Sequence, residues 1–290
     1  MKRGYLLLLV LFVYPFLLTS CVQKESVVLP VVEDYYTEAA VIEKRDLKLG
    51  VAAGPYGDMF SDAIEPYLIQ TGYTVEIVLY DDYIQPNLAL ANNEIDLNMF
   101  QHYTYLNNFK FEYDLDLAAI VRIPTVSMSV FSHKYKSVDE IEEGASISIP
   151  DDYTNLSRAL CMLDAAGIVT INPSVDKTKA TEADLIDNPK NLQFYTMKAN
   201  KLAQSLDDFD LSVINGNFAF AEGLDLSEAL YNELLTESYM NVIVVKTDDL
   251  NQQFVRDIIN AVHSEEFVNI IIETDGKYSG FQRPRDFLNY

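Results

Sequence analysis

"YTVEIVLYDDYIQPNLALANNEIDLNMFQHYTYLNNF", residues 73–109, reads as strand, helix and strand without interruption. "YTVEIVLY" (73–80) is rich in β-branched and aromatic residues, and "IQPNLALANN" (84–93) is a short helix stopped by an asparagine pair. "IDLNMF" (95–100) is the second strand. The next turn of chain, "FQHYTYLNNF" (100–109), brings together two phenylalanines, two tyrosines and one of the three histidines in the protein. Aromatic groups this dense serve a core, a catalytic centre or a cage for a ligand.

The same alternation extends in both directions. Upstream, "LKLGVAA" (47–53) is a strand, "GPYG" a turn, and Phe60, Ile64 and Leu68 form the buried stripe of one helix that Pro66 can kink. Downstream lie a long β-rich run (118–132), a short helix at "SVDEI", and a second series that opens with "ASISIPDD" (145–152). That series continues with helix "NLSRALCMLDAAG", strand "LQFYTM", helix "ANKLAQSLDD" and strand "LSVIN". "NVIVVK" (241–246) and two helical stretches at 250–261 and 264–274 follow. Strands alternating with helices specify an α/β protein with parallel-rich sheets covered on both faces. Ligands in such sheets bind at the carboxyl ends of the strands. Those ends are "GPYG", Asp81–Tyr83, "FQHYTY", Tyr153–Arg158 and "NGN" after "LSVI".

Composition narrows the chemistry. With 21 Lys+Arg against 44 Asp+Glu, the chain lacks the basic surface that nucleic acid demands, and acidity of this size serves solubility. Of two cysteines, Cys161 lies in an apolar helical pattern and reads as a buried, inert thiol. His102, His133 and His263 are far apart, and none has a second ligand at zinc spacing; G-x-S-x-G, P-loop and G-x-G-x-x-G motifs are absent. A hydrolase would need a triad assembled from distant residues with His102 as its base. The pairs Asp81-Asp82 and Asp151-Asp152 read as helix caps and solvated rim. No catalytic residue, cofactor or metal ligand is expected.

The N-terminus sets the compartment. "MKRG" is a basic n-region, and "YLLLLVLFVYPFLL" is too short and too interrupted by Pro15 for the ~20 apolar residues of a permanent span, so residues 1–20 read as a signal peptide. "LTSC" (Leu18–Cys21) resembles the bacterial lipobox, which implies that Cys21 is lipidated, with palmitate among its acyl chains, and becomes the first residue. More than one acyl chain gives stable anchoring at ~0.8 kcal/mol per buried CH₂. Residues 21–46 then form a tether, and the protein sits on the extracytoplasmic face of a bacterial membrane.

"DDYIQPNLALANNEIDLNMFQHYTYLNNF", "SISIPDDYTNLSRALCML", "NPKNLQF", "SVINGNFA", "YMNVIVV" and "AVHSEEF" resemble, in this order, segments of the methionine-binding lipoproteins, the MetQ/NlpA family of substrate-binding proteins of methionine ABC importers. The resemblance spans roughly residues 45–275. It implies a type II periplasmic-binding-protein fold: two α/β lobes, 47–127 with 241–290 and 128–240, joined by crossover strands around a ligand cleft. It implies that Tyr83, Phe100, His102 and Tyr105 form the side-chain pocket, that Arg158 grips the ligand carboxylate with its planar fork, and that Asn215 and Asn241 hold the amino acid backbone. The partners implied are methionine, or a methionine-containing dipeptide or other apolar amino acid, and a membrane permease with its ATPase. A surface adhesin acting by protein contact is the reading from another class. Thr104, Tyr56 and Leu156 stand where the family usually has proline, histidine and an acid. If that acid neutralises a ligand ammonium, another group must do so here. On these expectations Arg158 serves the cleft alone, and Arg158→Ala weakens binding without unfolding the protein.

Overall fold

Residues 45–273 and 276–288 are described by a computed structural model; the signal segment, Cys21 and the tether up to residue 44 lie outside them. The strand–helix–strand unit of residues 73–109 sits in the first of two five-stranded sheets. That sheet contains β1 (Asp46–Ala52), β2 (Thr74–Tyr80), β3 (Leu97–His102), β4 (Leu117–Arg122) and β12 (Asn241–Lys246), in the order β2-β1-β3-β12-β4. β1 runs parallel to both neighbours, whereas β12 is antiparallel to β3 and β4. The second sheet contains β5 (Ser129–Phe131), β6 (Ser146–Pro150), β9 (Gln193–Met197), β10 (Leu211–Ile214) and β11 (Tyr231–Asn232), in the order β11-β5-β10-β6-β9. Its β9, β6 and β10 are parallel, and β5 is antiparallel to β10 and β11. β7 (Thr170–Ile171) and β8 (Leu185–Asp187) make a separate small pair.

β12 shows why the first sheet is stable. Its Ile243 and Val245 pack into the cluster under α1 (Tyr56–Ala63), α2 (Glu65–Gln70), α7 (Gln253–Val262) and α8 (Glu265–Ile272). Val242 and Val244 face the opposite cluster, with Leu90 of α3 (Gln85–Ala91) and Leu106 of α4 (Tyr103–Tyr113). Alternate side chains thus bury both faces, as a period of two requires. A separate core, from Met128 to Val213, fills the second lobe beneath α5 (Tyr153–Ala165). The lobes are joined by 123–128, between β4 and β5, and by 233–240, between β11 and β12.

Several expectations are corrected in detail. The stripe of Phe60, Ile64 and Leu68 is fully buried, but it spans two helices, because Pro66 in the first turn of α2 lacks the N–H that a continuous helix needs. The run 118–132 is two strands in two different sheets, with a lobe crossing between them. "ANKLAQSLDD" is not an α-helix but two 3₁₀ turns, Ala199–Lys201 and Gln204–Asp207. The Leu202 carbonyl accepts the Ser205 backbone N–H at 3.1 Å, the i to i+3 bond of a 3₁₀ turn, and also the hydroxyls of Ser205 and Ser212. "FQHYTYLNNF" is the end of β3 and the start of α4.

Candidate functional site

The carboxyl ends of β1, β3, β6 and β10 face one another across the two lobes. Antiparallel β12 begins at the same level, with Asn241 opposite His102. Here the structure brings together every residue singled out in the sequence: Tyr83, Phe100, His102, Tyr105, Arg158, Asn215 and Asn241 line one cavity of about 340 Å³, its mouth included.

One wall is aromatic. Tyr83, in the loop from β2 to α3, stacks on Phe100 at 5.8 Å between ring centroids and on Phe218 at 5.2 Å. Phe218 belongs to α6 (Gly216–Ala221) of the other lobe. Tyr105 closes edge-on against Tyr83 at 5.8 Å. The Tyr83 hydroxyl donates to Asn217 Oδ1 at 2.6 Å, and Asn217 Nδ2 donates to the Ala53 carbonyl at 2.8 Å, so one amide clasps the opposite lobe twice. Asn200 to the Asp81 carbonyl and Asn108 to Thr154, both at 2.9 Å, add further clasps. Burial pushes the Tyr83 and Tyr105 hydroxyls far above the usual tyrosine range, so both remain neutral donors.

The opposite wall is polar. His102 caps α4, its Nδ1 accepting the Tyr105 backbone N–H at 3.1 Å. A backbone N–H only donates, so in the neutral ring the proton is on Nε2. Burial, then the nearby Arg158 charge, holds His102 well below its usual range, with Asn155 opposing; the ring is neutral. Its Nε2 is buried without a hydrogen-bond partner. Asn215 donates from Nδ2 to Asn155 Oδ1 at 2.9 Å, and its own Oδ1 is likewise buried and unpartnered. Asn241 Nδ2 donates to the Phe100 carbonyl at 3.2 Å.

Arg158 departs from the sequence reading. Its Nε and Nη2 donate to Glu233, Nη2 reaching Oε2 at 2.6 Å, and the guanidinium lies 5.1 Å from the ring centre of Tyr239. Arg158 and Glu233 are both buried, so the arginine is half of an ion pair and is not devoted to the cleft alone; only its Nη1 edge is left over by Glu233.

Sequence reasoning missed Tyr56, Asn155 and Asn217 in the lining, although they lie in or beside the strand-end stretches "GPYG", "TNLSR" and "NGN". Glu233 and Tyr239 carried no local signal, since Glu233 meets Arg158 from 75 positions away. Asp152 is the N-cap of α5, as read, its Oδ1 accepting the Asn155 N–H, whereas Asp82 stands two residues before Ile84, the N-cap of α3, and its Oδ1 accepts the Ile84 and Gln85 N–H groups. Leu156 packs among core side chains. Among the described residues, no group of three His, Cys, Asp or Glu side chains is placed to hold a metal ion.

Comparison with known proteins agrees with this architecture. The D-methionine-binding lipoprotein MetQ of Escherichia coli strain K12 is 32% identical over 223 residues, covering 76% of this chain and 82% of the relative. Outer membrane lipoprotein 3 of Mannheimia haemolytica is 33% identical over 224 residues, covering 77% and 85%. A nutrient-binding protein from Burkholderia cenocepacia, solved bound to methionine, superposes with a TM-score of 0.74 at 30% identity, covering 78% of this chain and 95% of that one. The family model described as NlpA lipoprotein matches residues 47–284, and the chain belongs to that family.

Proposed function

We propose that this protein captures methionine between its lobes and delivers it to the permease and ATPase of an ABC importer, while a lipid on Cys21 holds it to the outer face of the cell membrane. The observation that carries the reading is a pair of buried, unpartnered atoms of opposite sense on one cavity wall: the His102 Nε2–H, a donor, and Asn215 Oδ1, an acceptor. An α-amino acid supplies the complement of both, its carboxylate accepting and its ammonium donating. Arg158 Nη1 adds charge on the carboxylate side. The rings of Tyr83, Phe100 and Tyr105 suit an unbranched thioether, since sulfur near a ring edge gains ~0.3–1.5 kcal/mol. The lobe division 47–127 with 241–290 and 128–240 belongs to the same reading and is supported by sheet membership.

The test is calorimetric titration and thermal unfolding of protein freed of co-purifying ligand by partial unfolding and refolding. Methionine binds and raises the melting temperature; at ~100 Kd it stabilises by ~2.7 kcal/mol. Aspartate and lysine do neither. A transition shifted only by charged amino acids or sugars refutes the assignment, and native mass spectrometry of the untreated protein separates free methionine from a dipeptide.

A further inference from the structure

Asp152 stands directly before α5, and its carboxylate is spent almost entirely on one residue. Oδ1 accepts the Asn155 backbone N–H at 2.9 Å, and Oδ1 and Oδ2 accept Asn155 Nδ2 at 3.1 and 3.0 Å. Asn155 Oδ1 in turn accepts Asn215 Nδ2 at 2.9 Å. Both amides therefore point their N–H groups back toward Asp152 and their oxygens away from it. The run ends at Asn215 Oδ1, buried and without a partner, on a residue that lines the cavity. Asn155 and Asn215 are 1% and 4% exposed, so water does not screen the chain of dipoles. Hydrogen-bonded chains polarise one another, by ~10–30% per bond, and a full negative charge at one end makes the last oxygen a better acceptor.

We propose that Asp152 is a positioning residue for the ligand ammonium: through Asn155 it orients and polarises Asn215, so that the site selects ligands bearing a protonated amine next to their carboxylate. The inference rests on the amino-acid-binding reading above and concerns one half of the ligand. Leu156, the next residue of α5, is apolar and packs against two core clusters, so it offers no charge to an ammonium. Glu233 is committed to Arg158, on the carboxylate side. Among the described residues, Asp152 is the acid that hydrogen bonds couple, through Asn155, to Asn215. A cap alone asks less of this residue, since one carboxylate oxygen satisfies the Asn155 N–H; the amide chain beyond it is what a cap does not require.

Asp152→Asn separates the two roles, because asparagine caps helices as well as aspartate does. The lipid-free mature protein and this variant are titrated calorimetrically with methionine and with the hydroxy acid in which –OH replaces the ammonium and all else is kept. The variant binds methionine on the order of 10-fold more weakly, the size of a one-charge interaction across roughly 12 Å, the reach of a path through two amides, at an effective dielectric near 20. It binds the hydroxy acid within about twofold of wild type, which a structural lesion would not allow. Equal losses for both ligands, or an unchanged methionine affinity, overturn the proposal. Should Asp152→Asn not fold, Asp152→Ser, another capping residue without charge, carries the same two expectations. A wild-type protein that binds the hydroxy acid as tightly as methionine overturns the relay while leaving the binding site in place; one that binds neither brings down the underlying reading as well.

Discussion

Arg158 and Glu233 are joined by three hydrogen bonds of 2.6 to 3.1 Å inside the second lobe, and Glu233 Oε2 also accepts the Met128 backbone N–H at 3.3 Å. Met128 lies at the end of one lobe crossing, and Glu233 at the start of the other. The pair therefore ties both crossovers to the helix that carries the arginine. Removing one partner of a buried pair strands the other charge and costs ~3–5 kcal/mol. Arg158→Ala and Glu233→Ala should each lose about that much in denaturant unfolding, besides the effect of Arg158→Ala on ligand affinity. Replacing both, as in Arg158→Met with Glu233→Leu, should recover much of the stability and none of the binding. An Arg158→Ala protein within about 1 kcal/mol of wild type would show that the pair is loose in solution.

Gly216 lies between Asn215 and Asn217, where α6 starts against the first crossover. A Cβ there would fall 2.8 Å from the Val126 carbonyl carbon and closer still to the Ser127 carbonyl oxygen, both main-chain atoms that cannot rotate away. Gly216→Ala should destabilise by ~1–3 kcal/mol, the usual cost of overpacking, and should displace both asparagines. Ligand affinity should fall even at temperatures where the variant is fully folded. Full affinity in a folded Gly216→Ala variant would mean that the crossover yields without moving the site.

The strands of this fold were legible because their signals are local: β12 carries the continuous apolar run Val242–Val245, and β2 is dense in β-branched and aromatic residues. The cleft was legible to the extent that strand ends locate it and the motif residues cluster there. Local patterns could not show that the stretch 118–132 divides between two sheets, since both halves have the same β-rich composition. They could not show Glu233 either, because a partner 75 positions away leaves no trace in the neighbourhood of Arg158. Asn200 and Asn217 were hidden for a related reason: each bonds across the cleft, to Asp81 and to Tyr83 and Ala53, and such contacts exist only once both lobes are built. The 3₁₀ turns at 199–207 lie where the Leu202 carbonyl takes the Ser205 N–H and two serine hydroxyls, and the Ser212 hydroxyl comes from a strand that the local helical pattern does not show.

Cys21 lies outside the described residues, so its role is tested by fractionation. With "LTSC" intact the protein should remain with membranes through a high-salt wash, since two or more acyl chains bind far more strongly than one. Cys21→Ala should leave it in the soluble extracytoplasmic fraction with unchanged methionine affinity. Membrane retention of that variant after the wash would assign anchoring to something other than lipid.

His102 gives the protein a pH dependence whose sign is fixed by its burial. Its folded-state pKa lies well below the ordinary 6.5, because burial and then Arg158 disfavour the imidazolium. Above pH 6.5 the ring is neutral in both folded and unfolded chains and contributes no slope. As pH falls below 6.5 the unfolded chain takes up a proton that the folded chain refuses, so stability drops, by at most ~1.4 kcal/mol per pH unit for this group, until the folded-state value is reached. Half-buried His263 is lowered in the same direction, burial leading and Asp286 opposing, and adds to the fall. Asp152 acts in the opposite sense and only in the acid range: burial raises its carboxyl above 3.8, so the folded chain protonates first and recovers some stability there. Denaturant unfolding between pH 7.5 and about 5 should therefore show declining stability. His102→Asn, which preserves a capping acceptor for the Tyr105 N–H, should flatten most of that decline, whereas His263→Gln should flatten less of it. A slope unchanged in His102→Asn would place the proton uptake elsewhere and would mean that the folded chain protonates His102 as readily as the unfolded one, against the burial that keeps it neutral here.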